Sequence, residues 1–133
     1  MTVASCRLDT RSKIIGRGEA LGRIREHAGW VIVTGYFDPV TAEHARLFRQ
    51  ISSKYSGIAV FLSDPLHPIL PAQARAELLA ALRVVDCVVL PQDRGSQPLD
   101  PDIPVLREEE ADEARLRKLI EHVHERHNVA TPR

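Results

Sequence analysis

Along the chain, aliphatic runs alternate with stretches whose apolar residues recur every three or four positions. The runs "WVIVTG" from Trp30, "IAVFL" from Ile58 to Leu62 and "CVVL" from Cys87 to Leu90 lack polar alternation. Unbroken apolarity of that length is the habit of strands covered on both faces in a parallel sheet. Between and around them lie helical patterns. "GEALGRIREHAG" sets Leu21, Ile24 and Ala28 at helical spacing, with Gly29 as a stop. "TAEHARLFRQISSKY" puts His44, Leu47, Phe48 and Ile51 on one stripe, and "AQARAELLAALRVV" does the same with Ala74, Leu78, Ala81, Leu82 and Val85.

After the third run, "PQDRGSQPLDPDIP" is rich in turn-forming residues and reads as an exposed connection to a short strand at Val105 and Leu106. The acidic "REEEADEA" then opens a last helix with Leu116, Leu119, Ile120 and Val123 as its apolar stripe. Basic "HERH" closes that helix, a charge order that suits the helix dipole. Alternating strands and helices predict an α/β fold, an open and mostly parallel sheet with helices on both faces, with ligands at the carboxyl ends of the strands. One domain over residues 1–133 is expected, with residues 1–16 a lead-in prone to fray and 107–133 the acidic start and C-terminal helix.

Composition narrows the partners rather than naming them. Eighteen basic and 18 acidic residues cancel, so no global field recruits nucleic acid or a membrane surface. No apolar run has the roughly 18 residues of a membrane span, and the N-terminus lacks the apolar core of a secretory signal, so the expected location is cytoplasmic. The two cysteines, Cys6 in the lead-in and Cys87 in an aliphatic run, do not form a disulfide framework; Cys87 reads as a small buried hydrophobe.

The candidate chemistry sits in "VIVTGYFDPVTAEHARLF", Val31 to Phe48. Strand, tight turn and helix N-terminus form a common anion site, because unpaired N–H groups and the positive end of the dipole converge. At "GYFDPVTAEH" the chain resembles the nucleotidyltransferase superfamily with the HxGH signature, the cytidylyltransferases, heptose-phosphate adenylyltransferases and phosphopantetheine adenylyltransferase. "QARAELLAALRVVDCVVL" extends the likeness, with Arg75 in a helix ending in Val-Asp before an aliphatic strand. The resemblance implies a Rossmann-like sheet and transfer of a nucleoside monophosphate from CTP or ATP to a small phosphorylated acceptor, with Mg2+ and release of pyrophosphate. It implies that Thr41, His44 and Arg75 meet the phosphates, and that Gly35, Tyr36, Phe37, Asp38 and Asp64 border the nucleotide. It also allows a homodimer.

Each of these residues has an ordinary structural reason to be present. Gly35 relieves crowding at a strand end, Asp38 with Pro39 makes a turn, and His44 is spaced to pack on Leu47 and Phe48. The chain also departs from the signature, which reads "TAEH" here. Glu43 stands where the family has glycine, and a carboxylate about 6 Å from one phosphate charge costs about 3 kcal/mol at an effective dielectric of 20. In the first turn of a helix the same Glu stabilises the dipole by about 0.3 to 1 kcal/mol. The connection "SDPLHPILPAQ" has no lysine, and acidic "LREEEADEA" stands where the family carries a Ser/Thr cluster for the outer phosphates.

The terminal "EHVHERH" brings Glu121, His122, His124 and His127 together but lacks a second ligand group at a recognised spacing, so no metal site is expected. Two functions follow: a nucleotidyltransferase with weak or lost activity, or a non-catalytic module that binds a nucleotide, a metabolite or a protein.

Overall fold

The computed structural model of the chain describes residues 9–93, 95 and 99–129. Four strands form one sheet: β1 (Trp30–Gly35), β2 (Gly57–Leu62), β3 (Cys87–Val89) and β4 (Val105–Arg107). Their order is β3-β2-β1-β4 and every pairing is parallel. β1 and β2 run in full register, Trp30 beside Gly57 through Gly35 beside Leu62. Both are central and buried on both faces, which is why their sequences show no polar alternation.

Side chains of successive strand residues point to opposite faces, and the core divides accordingly. Val31, Val33, Ile58, Val60, Leu62 and Val88 pack on α2 (Ala42–Ser52) and α3 (Ala72–Ala80) through Phe48, Ile51, Ala76, Leu79 and Ala80. Ile32, Ala59, Phe61, Cys87 and Val89 pack on Ala20 and Ile24 of α1 (Arg17–Glu26). Part of the lead-in is also structured. Thr10–Lys13 is a 3-10 turn capped by Asp9, Ile14 bridges to Val88 and the Ile15 N–H donates to the Val88 carbonyl. Cys6 and the rest of residues 1–8 lie outside the described residues.

Two stripes differ from the sequence reading. In α3 the buried face is Arg75, Ala76, Leu79 and Ala80, whereas Leu78 is exposed and Ala81 and Leu82 fall beyond the helix. Periodicity counts arginine as polar and turns the helix the wrong way, but Arg75 is 0% exposed, its guanidinium making four hydrogen bonds within the chain. The second is α4 (Glu109–Val129), whose stripe is covered only at Leu116 and Leu119. Ile120 and Val123 remain 43% and 53% exposed. Among the described residues no helix is long and apolar enough to cross a membrane.

Candidate functional site at the carboxyl edge of the sheet

The chain leaves β1 at Gly35 and turns sharply through Tyr36 and Phe37, whose φ of 46° lies in the left-handed region. A bulky residue there costs about 1–3 kcal/mol and persists only when its surroundings hold it. Phe37 is fully buried, edge-on to His44 with ring centroids 5.1 Å apart and against Phe48 at 5.5 Å. The turn directs two successive backbone N–H groups at one point, as an anion site requires. That point is occupied by the chain itself. Asp112 Oδ2, from the first turn of α4, accepts from the Tyr36 N–H at 2.9 Å and the Phe37 N–H at 3.0 Å.

The other oxygen of the same carboxylate is also engaged. Oδ1 accepts from His44 Nε2 at 2.7 Å and from Arg115 Nη1 at 2.8 Å. His44 Nδ1 accepts the Thr41 N–H at 3.0 Å, with the Thr41 hydroxyl 3.2 Å away. A nitrogen that accepts a backbone N–H carries no proton, so the ring is neutral with its proton on Nε2, aimed at Asp112. The cation that balances Asp112 is therefore Arg115. Burial pushes the Asp112 carboxyl upward, but the bonds from His44, Phe37 and Arg115 outweigh it and hold its pKa below the ordinary value. Burial likewise acts to lower the Arg115 pKa, and Asp112 with Glu108 reverses that and raises it.

Gly35 makes this close approach geometrically possible. A Cβ there would lie 2.8 Å from Asp112 Oδ2 and 2.7 Å from the Phe37 ring. One turn earlier in α4, Glu109 accepts from the Thr34 hydroxyl and the Ser63 hydroxyl, both at 2.8 Å, and so joins the ends of β1 and β2. Arg115 completes the seam. It donates to Glu108 at 3.1 Å, and its Nε lies 3.5 Å from Glu43 Oε1.

Glu43 is half exposed and turned toward that arginine. Arg75 also serves the backbone: Nε donates to the Leu70 carbonyl, Nη1 to those of Tyr36 and Ser63, and Nη2 to Asp64 at 2.6 Å. Asp38, before a cis bond to Pro39, accepts from the N–H groups of Ile69 and Leu70. The structure thus gathers Gly35, Tyr36, Phe37, Thr41 and His44 around Asp112. Arg75 and Asp64 brace the β1 turn from the other side, and Asp38 pins the loop before α3. Tyr36, with its hydroxyl near Glu113 and Glu109, has its pKa raised first by desolvation and then by those carboxylates.

The space left beside His44 and Asp112, lined also by Asp38, Thr41 and Leu119, is about 10 Å³, room for one water. A magnesium–nucleoside triphosphate does not fit between the β1 turn and α4 as they lie here, because the Tyr36 and Phe37 N–H groups are bonded to Asp112 and the space beside them holds about one water. No cluster able to hold a metal ion occurs among the described residues, including the histidines up to His127. The acidic run was visible in the sequence. What sequence reasoning missed is that Asp112, Glu109 and Arg115, at positions spaced by three, share one helix face turned into the site; that spacing was the available signal.

A sequence model described as cytidylyltransferase-like matches residues 32–129, which takes in the whole edge from β1 to the end of α4. No curated protein matches the chain. The match covers most of the chain, including the turn, the helix N-terminus with His44 and the four parallel strands, and on that ground the chain belongs to the cytidylyltransferase-like family, within the HxGH nucleotidyltransferase superfamily.

Proposed function

We propose that this chain is a non-catalytic member of its family, a binding module in which a carboxylate of α4 replaces the phosphates of a nucleotide. One observation carries the reading: the two N–H groups of the β1 turn both donate to Asp112 Oδ2. A carboxylate in that position satisfies the same donors as a phosphate oxygen and repels the real one. Glu43, Glu108, Glu109 and Glu113 add negative charge around it, and a carboxylate about 6 Å from a phosphate charge costs about 3 kcal/mol at an effective dielectric of 20. Arg75 and Arg115, two cations at this edge, donate to the chain's own oxygens. What remains is a stable α/β scaffold with a long, partly uncovered helix, which suits an interaction module.

The family reaction would transfer a nucleoside monophosphate from CTP or ATP to a sugar or polyol phosphate and would require Mg2+. The test is to incubate the chain with CTP or ATP, Mg2+ and a panel of such phosphates while measuring pyrophosphate release and the melting temperature. Release at the protein-free rate and no nucleotide-dependent thermal shift are expected. Pyrophosphate release that scales with protein and disappears in His44→Ala would overturn the proposal.

A further inference from the structure

α3 carries apolar residues on two faces. Ala76, Leu79 and Ala80 enter the core with Arg75, whereas Ala74, Leu78 and Leu82 form a stripe that the chain covers only in part, Leu78 being 45% exposed. Ala81 keeps helical backbone angles and the Leu82 N–H donates to the Leu79 carbonyl, so Leu82 stands one turn beyond Leu78 on the same side. There the stripe runs into an open groove of about 210 Å³ between α2 and the turn after α3, lined by Ala45, Leu82 and Val84 with Arg49 and Arg83.

Those two arginines set the groove apart from scattered surface apolarity. Arg49 and Arg83 are exposed and, unlike Arg75 and Arg115, have no hydrogen bond, ion pair or ring contact among the described residues. The neighbouring carboxylates are turned elsewhere. Glu43, the only one in α2, points to Arg115, and Asp86 accepts the Ile58 N–H. Glu77 lies about 140° round α3 from Leu82, on the flank where Arg11 feels its charge. An apolar groove edged by unpaired cations is complementary to an aliphatic side chain that stands beside carboxylates. We propose that it docks an acidic segment of another protein, which inserts one aliphatic side chain between α2 and the end of α3, rests a second on Leu78 and sets its carboxylates on Arg49 and Arg83. The volume is below the roughly 300–1,000 Å³ of pockets that enclose a small molecule, so it takes a side chain rather than a metabolite. None of its lining residues is aromatic, so a nucleic-acid base has nothing to stack on. A second copy set face to face would bring arginine against arginine. The groove shares no lining residue with the space beside His44 and Asp112, so the inference goes beyond the closed anion site and holds whether or not the chain is catalytic.

Selection of a random displayed peptide library on the full chain, followed by fluorescence anisotropy of the enriched peptides, tests it. Enriched peptides should combine Leu, Ile or Val with Asp or Glu, and their affinity should fall as salt is raised. Arg49→Glu with Arg83→Glu, at exposed positions without partners, should leave the circular-dichroism spectrum unchanged and weaken binding roughly tenfold or more; Leu78→Ser should weaken it as well. Replacing the acidic residues of a peptide with lysine should abolish its binding to wild type and restore it to the double variant. No enrichment, or peptides that bind the double variant as well as wild type, would overturn the proposal. Tighter binding of a single-stranded oligonucleotide or of dodecanoate than of any peptide, lost in the double variant, would refute it by assigning the groove to a nucleic acid or an amphiphile. Self-association in sedimentation velocity that the double variant abolishes would refute it in favour of a second copy. Pyrophosphate release, measured separately, bears only on the closed site.

Discussion

Replacing Asp112 with alanine separates a carboxylate that holds the fold from one that merely lies near the site. The substitution strips the acceptor from the Tyr36 and Phe37 N–H groups, from His44 Nε2 and from Arg115 Nη1. A buried donor left without a partner costs about 1–3 kcal/mol, and removing one member of a buried charge pair costs about 3–5 kcal/mol. The terms do not add in full, because water can enter from the adjoining cavity of about 10 Å³ and Arg115 keeps Glu108. A net loss of roughly 3–5 kcal/mol follows, which for a chain of this size lowers the melting temperature by roughly 10 °C or more.

The pH dependence supplies an independent check on the same carboxylate. The folded-state pKa of Asp112 is depressed, so the unfolded chain takes up its proton first as pH falls. Its contribution is present above the ordinary carboxylate range, about pH 4, and is lost as pH falls through the folded value. Urea unfolding of both proteins from neutral pH downward should therefore show a gap that narrows below about pH 4. In the variant, inorganic phosphate should recover part of the loss, up to roughly 2.7 kcal/mol at a hundred times its dissociation constant, while wild type gains nothing. A variant within about 0.5 kcal/mol of wild type at neutral pH would refute the reasoning, as would a gap that ignores acid.

Arg75→Met should cost roughly 3–5 kcal/mol in urea unfolding, because the carbonyls of Tyr36, Ser63 and Leu70 lose a common donor; Arg75→Lys should not rescue it, since one ammonium cannot span those positions. Gly35→Ala should lower stability by about 1–3 kcal/mol, measured the same way, because the added Cβ would press on the Phe37 ring and Asp112. Glu43→Gly should cost about 1 kcal/mol through helix propensity and the lost dipole contact. Calorimetric titration of that variant with CTP or ATP should show no gain in binding, because Asp112 still holds the N–H pair.

Much of the architecture was legible without coordinates. Val31 to Val33, Ile58 to Leu62 and Cys87 to Val89 are unbroken apolar runs because a central parallel strand is buried on both faces, and that burial writes itself directly into composition. The turn at Gly35 and the helix start at Thr41 were legible too, since strand-turn-helix geometry demands particular residue types at fixed local spacing. The sequence also showed acidic residues where hydroxyl donors were expected. It did not show where they point, because periodicity describes one helix and says nothing of which neighbour that helix meets.

Tertiary structure alone decided the rest. Arg75 turned inward against its polarity, since acceptors from the β1 turn, the end of β2 and the loop before α3 converge on it. Asp112, 75 residues beyond Phe37, became the occupant of the anion site because β4 lies beside β1 and delivers the start of α4 to that edge. The same placement covers Leu116 and Leu119 and leaves Ile120 and Val123 in the open. A stripe in sequence states that a face seeks burial; only the packed chain determines how much of that face its own residues reach.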